Sequence, residues 1–224
     1  MNQYFCTNTA GNCNSCPAQQ PEPCSCGCRE DFRAALNLLC CPQVSPLINF
    51  SAAGFIADNY VIGTTITAPA ASTTAIDNLD ALTGTYVCNS GSCETANASG
   101  DLALSDVGAT PVAVNVSQAA LCKLNAVAFT TAGITEAEQT TNFQTLTQLL
   151  SQLINPSQPD TCCCSTIATS LLNATVARSV TLTAGPLLLS NVTVLGQIGD
   201  VLILANSTTF RIYLVCADKI AFLG

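Results

Sequence analysis

Apolar residues at helical spacing mark two segments of the chain. The first, residues 29–39, is short and is terminated by Pro42. The second, residues 136–154, has acidic residues in its first turn, where they interact favourably with the helix dipole. One face of this second segment carries the apolar side chains Phe143, Leu146, Leu149, Leu150 and Leu153. The pattern predicts two principal helices, residues 31–39 and residues 136–154.

Most of the remaining sequence is rich in β-branched and aromatic residues, punctuated by Gly, Asn and Ser. In the first half, this composition predicts short strands at residues 47–50, 55–56, 60–67, 112–116 and 121–129. In the second half, it predicts a meander of strands at residues 180–183, 187–189, 192–195, 201–204, 210–216 and 220–223. We therefore predict a mainly β (α+β) fold, built as short-strand sheets or a sandwich, with two principal helices.

The order of these features indicates an N-terminal arm and two similar halves. Residues 1–28 form a cysteine-rich arm of turn-forming residues without hydrophobic periodicity. Residues 29–130 and 131–224 each contain a helix, a cysteine cluster and strands. They end alike, in Leu121-Cys122 with 127–129 and in Val215-Cys216 with 220–222. Duplication explains this match, and so does coincidence in a chain rich in Ala, Val, Leu and Thr.

Charged residues are scarce in this chain. They make up 9% of it, against about 25% in ordinary soluble proteins, and the net charge is −8. So few charges predict that other subunits of a homo-oligomer cover much of the surface. The six basic residues form no cluster, which argues against nucleic acid as a partner. Polar residues interrupt the most apolar region, 186–205, and Met1 opens a polar segment, so neither membrane insertion nor a signal peptide is expected.

Fifteen cysteines supply the candidate chemistry. Consecutive Cα atoms lie about 3.8 Å apart, too close for an ordinary disulfide, so vicinal cysteines are expected to bond to different partners. The odd total leaves at least one cysteine free, metal-bound or joined to another chain. Cys6, Cys13 and Cys16 precede every core-forming segment, so this part of the arm can reach a neighbouring subunit. The cross-linking candidates are Cys6, Cys13, Cys16, Cys24, Cys26, Cys28, Cys40, Cys41, Cys162, Cys163 and Cys164.

The other cysteines are expected to act within the chain. Cys88 and Cys93 flank the tight segment Asn-Ser-Gly-Ser, which favours a local disulfide between them. Cys122 and Cys216 lie in apolar β patterns, where a lone cysteine usually behaves as a small buried hydrophobe.

A structural metal site is the alternative function for the arm. Cys13, Cys16, Cys24, Cys26 and Cys28 supply five soft ligands within a short span, enough for a zinc or iron–sulfur site inside a cell. However, the spacing from Cys24 to Cys28 is denser than that of a zinc ribbon, and the chain has no histidine to act as a co-ligand. These features favour disulfides, and no cofactor is predicted.

No catalytic constellation is visible in the sequence. The absence of histidine excludes Ser-His-Asp and Cys-His nucleophile systems, and the fourteen acidic residues are scattered. No Gly-rich phosphate loop precedes a helix. We therefore expect a protein that is not an enzyme.

Several features together resemble bacterial spore-surface proteins. They are the cysteine-rich N-terminal segment, the nodes Cys40-Cys41-Pro42 and Cys162-Cys163-Cys164, the lack of histidine and tryptophan, and the Thr/Ala-rich β body. The nearest type is the cysteine-rich exosporium proteins of clostridia, which assemble into two-dimensional lattices. The resemblance implies a structural, self-assembling, disulfide-cross-linked protein of the spore coat or exosporium. It also implies synthesis in the mother cell without a signal peptide and oxidation after that cell lyses, which accounts for the cysteine content.

Overall fold

The computed structural model describes residues 28–58, 60–66, 79–91, 95–100, 102–104, 116–154 and 179–223. These residues contain two α-helices, α1 (Arg29–Leu39) and α2 (Glu136–Leu153). The strands are β1 (Ile48–Ala57), β2 (Tyr60–Ile62), β3 (Thr64–Ile66), β4 (Leu79–Leu82), β5 (Thr85–Tyr86), β6 (Thr95–Gly100), β7 (Leu102–Leu104), β8 (Val116–Ala120), β9 (Leu124–Thr131), β10 (Ser179–Ala184), β11 (Leu187–Ile198), β12 (Val201–Asn206), β13 (Arg211–Cys216) and β14 (Ile220–Leu223). The prediction of a mainly β fold with two principal helices is confirmed.

Helix α2 begins with a capping box that the sequence encodes locally. The Thr135 hydroxyl accepts a hydrogen bond from the Glu138 N–H, and the Glu138 carboxylate accepts one from the Thr135 N–H at 3.1 Å. Hydrogen bonds from the backbone N–H groups of Ile134 and Thr135 hold the pKa of Glu138 below its ordinary value. From the predicted apolar stripe, Phe143, Leu146 and Leu150 are buried. The N-terminal cap and the apolar stripe therefore both support a helix in this segment.

Nine strands form one antiparallel sheet in the order β14-β10-β11-β12-β13-β9-β1-β2-β7. Strands β10 to β13 are consecutive neighbours, so the predicted meander is confirmed for these four strands. The prediction is wrong for the last strand, because β14 pairs with β10 and not with β13. Smaller sheets of β3-β4 and of β5-β6-β8 accompany it. Because β13 pairs with β9, the two predicted halves share this sheet. The division into an arm and two halves, and their duplication, stay predictions.

Two local departures from the predicted strands have a conformational cause. The segments 187–189 and 192–195 form one strand, β11, because Asn191 adopts a left-handed conformation (φ 56°) within a register shift. Asn tolerates this conformation better than most residues, so the strand continues past the predicted break. In the predicted strand 121–129, residues Leu121–Lys123 instead form a 3₁₀ turn, and the strand starts at Leu124.

The central strands of the nine-stranded sheet are buried on both faces. On β12, Val201, Ile203 and Ala205 belong to one apolar cluster, and the alternate residues Leu202 and Leu204 belong to another. Both helices lie on the first face, where α1 contacts β11, β12 and β13 and α2 contacts β11 and β9. Strands that are buried on both faces have continuous apolar sequences. This explains the runs of apolar, β-branched residues in the second half of the chain.

Three glycines join the three sheets at one point. Gly84 exchanges backbone hydrogen bonds with Ala53 of β1, and its N–H also contacts the Gly63 carbonyl. A Cβ on Gly84 would lie 2.5 Å from the Ala53 carbonyl oxygen and 3.0 Å from the Gly63 Cα. A Cβ on Gly100 would lie 2.8 Å from the same Gly63 Cα. Only backbones without side chains approach this closely, so the sheet junction depends on glycine.

We predict that Gly84→Ala lowers the free energy of unfolding by about 2–3 kcal/mol, because the added methyl group meets backbone atoms that have no room to move. Gly54→Ala is the matched control, since the nearest atom to its Cβ is the flexible end of Leu82 at 3.0 Å. Urea unfolding of both variants measures the difference. Equal losses of stability in the two variants would contradict the steric account of the junction.

Candidate functional site

Helix α1 is covalently anchored at both of its ends. Its N-cap residue Cys28 forms a disulfide with Cys216 at the end of β13, with Cα atoms 5.7 Å apart. Its C-cap residue Cys40 forms a disulfide with Cys88, in the loop after β5, with Cα atoms 5.6 Å apart. The helix therefore ties the nine-stranded sheet to the three-stranded sheet. We call this arrangement of α1 and its two disulfides the helix clamp.

Polar contacts reinforce the first end of the helix clamp. The Asp31 carboxylate accepts a hydrogen bond from the Asp200 N–H at 2.8 Å, in the turn between β11 and β12. Gly199, in the same turn, has φ 53°, and a Cβ there would collide with the Asp31 carboxylate. Glycine at this position thus lets the turn approach α1 closely enough for the hydrogen bond.

A buried arginine reinforces the second end. Arg33 is 8% exposed, and its guanidinium donates hydrogen bonds to the carbonyl groups of Ser90, at 3.2 Å, and of Thr95. Ser90 lies in the same loop after β5 as Cys88, and Thr95 is the first residue of β6. Burial raises the pKa of the neighbouring Tyr86, and the charge of Arg33 acts in the opposite direction. Covalent and charged contacts therefore hold the same segment against α1.

A carboxylate lies against the first disulfide. The Cys28 sulfur is 3.6 Å from Oδ1 of Asp218 and 3.4 Å from the Asp200 carbonyl oxygen, and the Cys216 sulfur also contacts Oδ1 of Asp218. Burial raises the pKa of Asp218, while the charge of Lys219 acts to lower it. The bridge is thus enclosed by oxygen atoms from the turn before β12 and from the 3₁₀ turn Ala217–Lys219.

A cavity of about 310 Å³ lies between α2 and the β11–β12 strands. Its lining consists of Phe143, Thr147, Gln148, Ser151, Thr193, Leu195, Ala205 and Ser207. None of these described side chains is ionisable.

The structure corrects several predictions about individual cysteines. Cys88 bonds to Cys40, so the local Cys88–Cys93 disulfide is wrong; the β5–β6 loop lies on α1, which brings Cys88 to the helix end. Cys28 and Cys40, predicted as cross-linking candidates, are bonded within the chain. In the oxidised form that the structure shows, Cys28 is bonded to Cys216 and offers no thiolate to the predicted metal site of the arm, which stays a prediction.

Cys41 is also disulfide-bonded, with a partner outside the described residues. It does not bridge to its neighbour Cys40, as expected for vicinal cysteines. The remaining cross-linking candidates lie outside the described residues, and their roles stay predictions: Cys6, Cys13, Cys16, Cys24, Cys26, Cys162, Cys163 and Cys164. Cys93, the predicted partner of Cys88, also lies outside the described residues.

Cys122 and Cys216 are not the buried, unbonded thiols that the β pattern predicts. Cys216 is buried but forms the disulfide with Cys28, and Cys122 is free and exposed. Cys122 is exposed because it lies in the 3₁₀ turn before β9 and not in the strand. The charged Lys123 next to it is the sequence signal that marks this turn as a surface position.

Residues 26–224 match the family model described as spore coat protein CotA-like. The chain belongs to the spore coat protein CotA-like family. Spore coat protein CotA of Clostridioides difficile (strain 630) is 28% identical over an alignment of 268 residues, which covers 92% of this chain and 86% of that protein. No solved structure matches the chain.

The family confirms the predicted resemblance to clostridial spore-surface proteins. The match includes all four cysteines of the helix clamp and places the chain in a family of the spore surface, where a structural role is expected. In the part of the chain that the structure describes, no helix is both long and apolar enough to cross a membrane.

We predict that replacing Cys40 and Cys88 together by serine lowers the free energy of unfolding by about 3–4 kcal/mol. The reason is that the unfolded chain regains the freedom of a loop that the disulfide closes across 48 positions. Cys122→Ser removes an exposed thiol that closes no loop, so it should change stability by less than about 0.5 kcal/mol. Urea unfolding of dispersed protein measures both. A double variant as stable as the wild type would show that the second disulfide does not hold the fold.

Proposed function

We propose that this protein is a structural subunit that self-assembles into a disulfide-cross-linked lattice or shell on the bacterial spore surface, in the exosporium or the coat. Membership of the spore coat protein CotA-like family supports the location and the structural role. Lattice formation is the step that we add. Its partners are further copies of the same chain, together with other spore-surface proteins, and not nucleic acid.

The helix clamp supports this proposal because, once its disulfides have closed, it makes the subunit rigid. Its disulfides use Cys28, Cys40, Cys88 and Cys216 within one chain. Bonds between subunits must therefore use other cysteines. A rigid subunit loses little conformational entropy when it joins an ordered array, so a modest contact area is enough to hold it.

The exposed thiol of Cys122 is the observation that carries the proposal. Its neighbour Leu121 is fully buried, which fixes the turn to the body of the protein while Cys122 points outward. A fixed, exposed, unpaired thiol on a rigid subunit suits a bond to the next subunit once the surroundings become oxidising. The odd total of fifteen cysteines requires at least one unpaired residue per chain.

Exposed apolar side chains provide the non-covalent part of the contact. Ile134, just before α2, is 98% exposed, and Val87 is 52% exposed. Because charged residues are few, there is little electrostatic repulsion between copies of the same surface. Association then stabilises each subunit by mass action, and disulfides make the association permanent.

We predict that Cys122→Ser leaves a folded protein whose assemblies dissociate more readily in detergent or on heating. Electrophoresis of native assemblies without reductant should show fewer cross-linked species for Cys122→Ser than for the wild type. Electron microscopy of both proteins shows whether ordered arrays form. Monomer bands for the unreduced wild type, or dispersed monomers in micrographs, would contradict the proposal.

The arm is the second source of cross-links in this proposal. Replacing Cys6, Cys13 and Cys16 together by serine should weaken the assemblies and leave the fold intact, because these residues precede every core-forming segment. Combining this triple variant with Cys122→Ser separates the two contributions. Assemblies of equal robustness in all four proteins would exclude both positions as links between subunits.

A further inference from the structure

The Cys28–Cys216 disulfide lies in a cluster of three groups that bind metal ions. The two sulfur atoms and a carboxylate oxygen of Asp218 all lie within 4.8 Å of one another. Cys28 is 5% exposed and Cys216 is 2% exposed, while Asp218 is half-buried. Two thiolates and one carboxylate are a donor set that zinc accepts, with a water molecule as fourth ligand.

We propose that the reduced protein binds a zinc ion between Cys28, Cys216 and Asp218, and that oxidation replaces this ion with the disulfide. This site differs from the predicted site of the arm because two of its three ligands come from the C-terminal end of the chain. It goes beyond the assembly function and does not depend on it.

The elements around the bridge place the three ligands without rearrangement of the fold. Cys28 is the N-cap of α1, Cys216 is the last residue of β13, and Asp218 lies in the 3₁₀ turn that follows. The N–H of Ala217, between two of the ligands, donates a hydrogen bond to the Asp200 carbonyl at 2.8 Å. This bond fixes the backbone that carries Cys216 and Asp218.

The oxygen atoms near the sulfurs fit the reduced state better than the oxidised one. The Asp218 carboxylate oxygen contacts both sulfurs, and the Asp200 carbonyl is 3.4 Å from the Cys28 sulfur. A disulfide has no S–H group, so it gains no hydrogen bond from these acceptors. Two thiols gain acceptors for their protons, and two thiolates gain a third ligand for a shared metal ion. The surroundings of this bridge thus match those of a metal-binding dithiol.

The conversion between the disulfide and the zinc-bound dithiol is balanced in atoms and electrons in both directions. A phosphine reductant takes one oxygen atom from water as the disulfide becomes two thiols, and zinc then displaces one proton from each thiol. In the reverse direction, one hydrogen peroxide molecule accepts two electrons from the two thiolates. With two protons it forms two water molecules, the disulfide closes, and zinc is released. Zinc binding in a reducing cell and disulfide closure after lysis would thus be successive states of one site.

A tryptic peptide reports on this site alone. Cleavage after Arg211 and Lys219 releases residues 212–219, in which Cys216 is the sole cysteine. The experiment measures the rate at which iodoacetamide alkylates Cys216 in the full chain, reduced with a phosphine, with and without zinc. We expect zinc to slow this alkylation by at least about tenfold, because a metal-bound thiolate is a weaker nucleophile than a free one.

Three variants assign the ligands. Asp218→Asn keeps both thiols and should require about tenfold or more additional zinc for the same protection. Cys28→Ser should lose the protection of Cys216. Asp58→Asn is the control: Asp58 is a second carboxylate that acts on Asp218 through its charge, but it is not a member of the ligand cluster. This variant should behave as the wild type.

A measurement on the wild type alone avoids any effect of substitutions on folding. Zinc stabilises the reduced state, so each tenfold rise in free zinc above its dissociation constant should raise the midpoint potential of the Cys28–Cys216 couple by about 30 mV. The same peptide gives the oxidised fraction. An unshifted potential, unprotected Cys216 in the wild type, or equal zinc requirements for Asp218→Asn and the wild type would each overturn the proposal.

Discussion

Covalent closure of α1 at both of its ends is the constraint on which the rest of the structure depends. The Cys28–Cys216 bond spans 188 positions in the sequence. It joins the start of the first helix to the end of β13, a central strand of the nine-stranded sheet. In the chain-entropy view, a loop of this length destabilises the unfolded chain by about 5 kcal/mol. An eleven-residue helix is too short to be stable alone, so its position is set by these bonds and by the burial of its apolar face.

The helix clamp also determines which cysteines remain available for bonds to other molecules. It binds the three-stranded sheet to the nine-stranded sheet and uses up four cysteines inside the subunit. The central strands of the nine-stranded sheet are buried on both faces within the subunit. What remains exposed is a sparsely charged surface with the thiol of Cys122 on it. The four cysteines of the helix clamp are therefore distinct from Cys122, the thiol that we propose for assembly.

Much of the fold could be predicted because its signals are local. The helix of residues 136–154 shows both a capping box and an apolar stripe, and the meander shows runs of β-branched residues between turn signals. The continuation of β11 through Asn191 was not visible, because Asn normally marks a turn and here takes a left-handed conformation inside a strand. The contact of Gly63 with Gly84 and Gly100 was not visible, because it arises from the close approach of backbones that are distant in the sequence.

The candidate site was less predictable than the fold. Nothing in the sequence pairs Cys28 with Cys216, since disulfide connectivity follows from tertiary structure and not from spacing. The short segment between Cys88 and Cys93 favoured a local disulfide in the sequence, but the structure joins Cys88 to Cys40 at the end of α1. Cys122 differs from its predicted state because a 3₁₀ turn shifts the start of β9 beyond it.

Disulfide mapping of the oxidised protein tests the central claim most directly. Trypsin digestion under conditions that block thiol exchange releases residues 212–219, with Cys216, and residues 1–29, with Cys28. Residues 1–29 carry six cysteines, so the account predicts that mass spectrometry with fragmentation of the linked peptides finds Cys216 joined to Cys28 through a bond within one chain. Mixing isotope-labelled and unlabelled protein before oxidation distinguishes this bond from one between two chains. A peptide 212–219 that is unbonded, or joined to a peptide from another copy, would contradict the helix clamp.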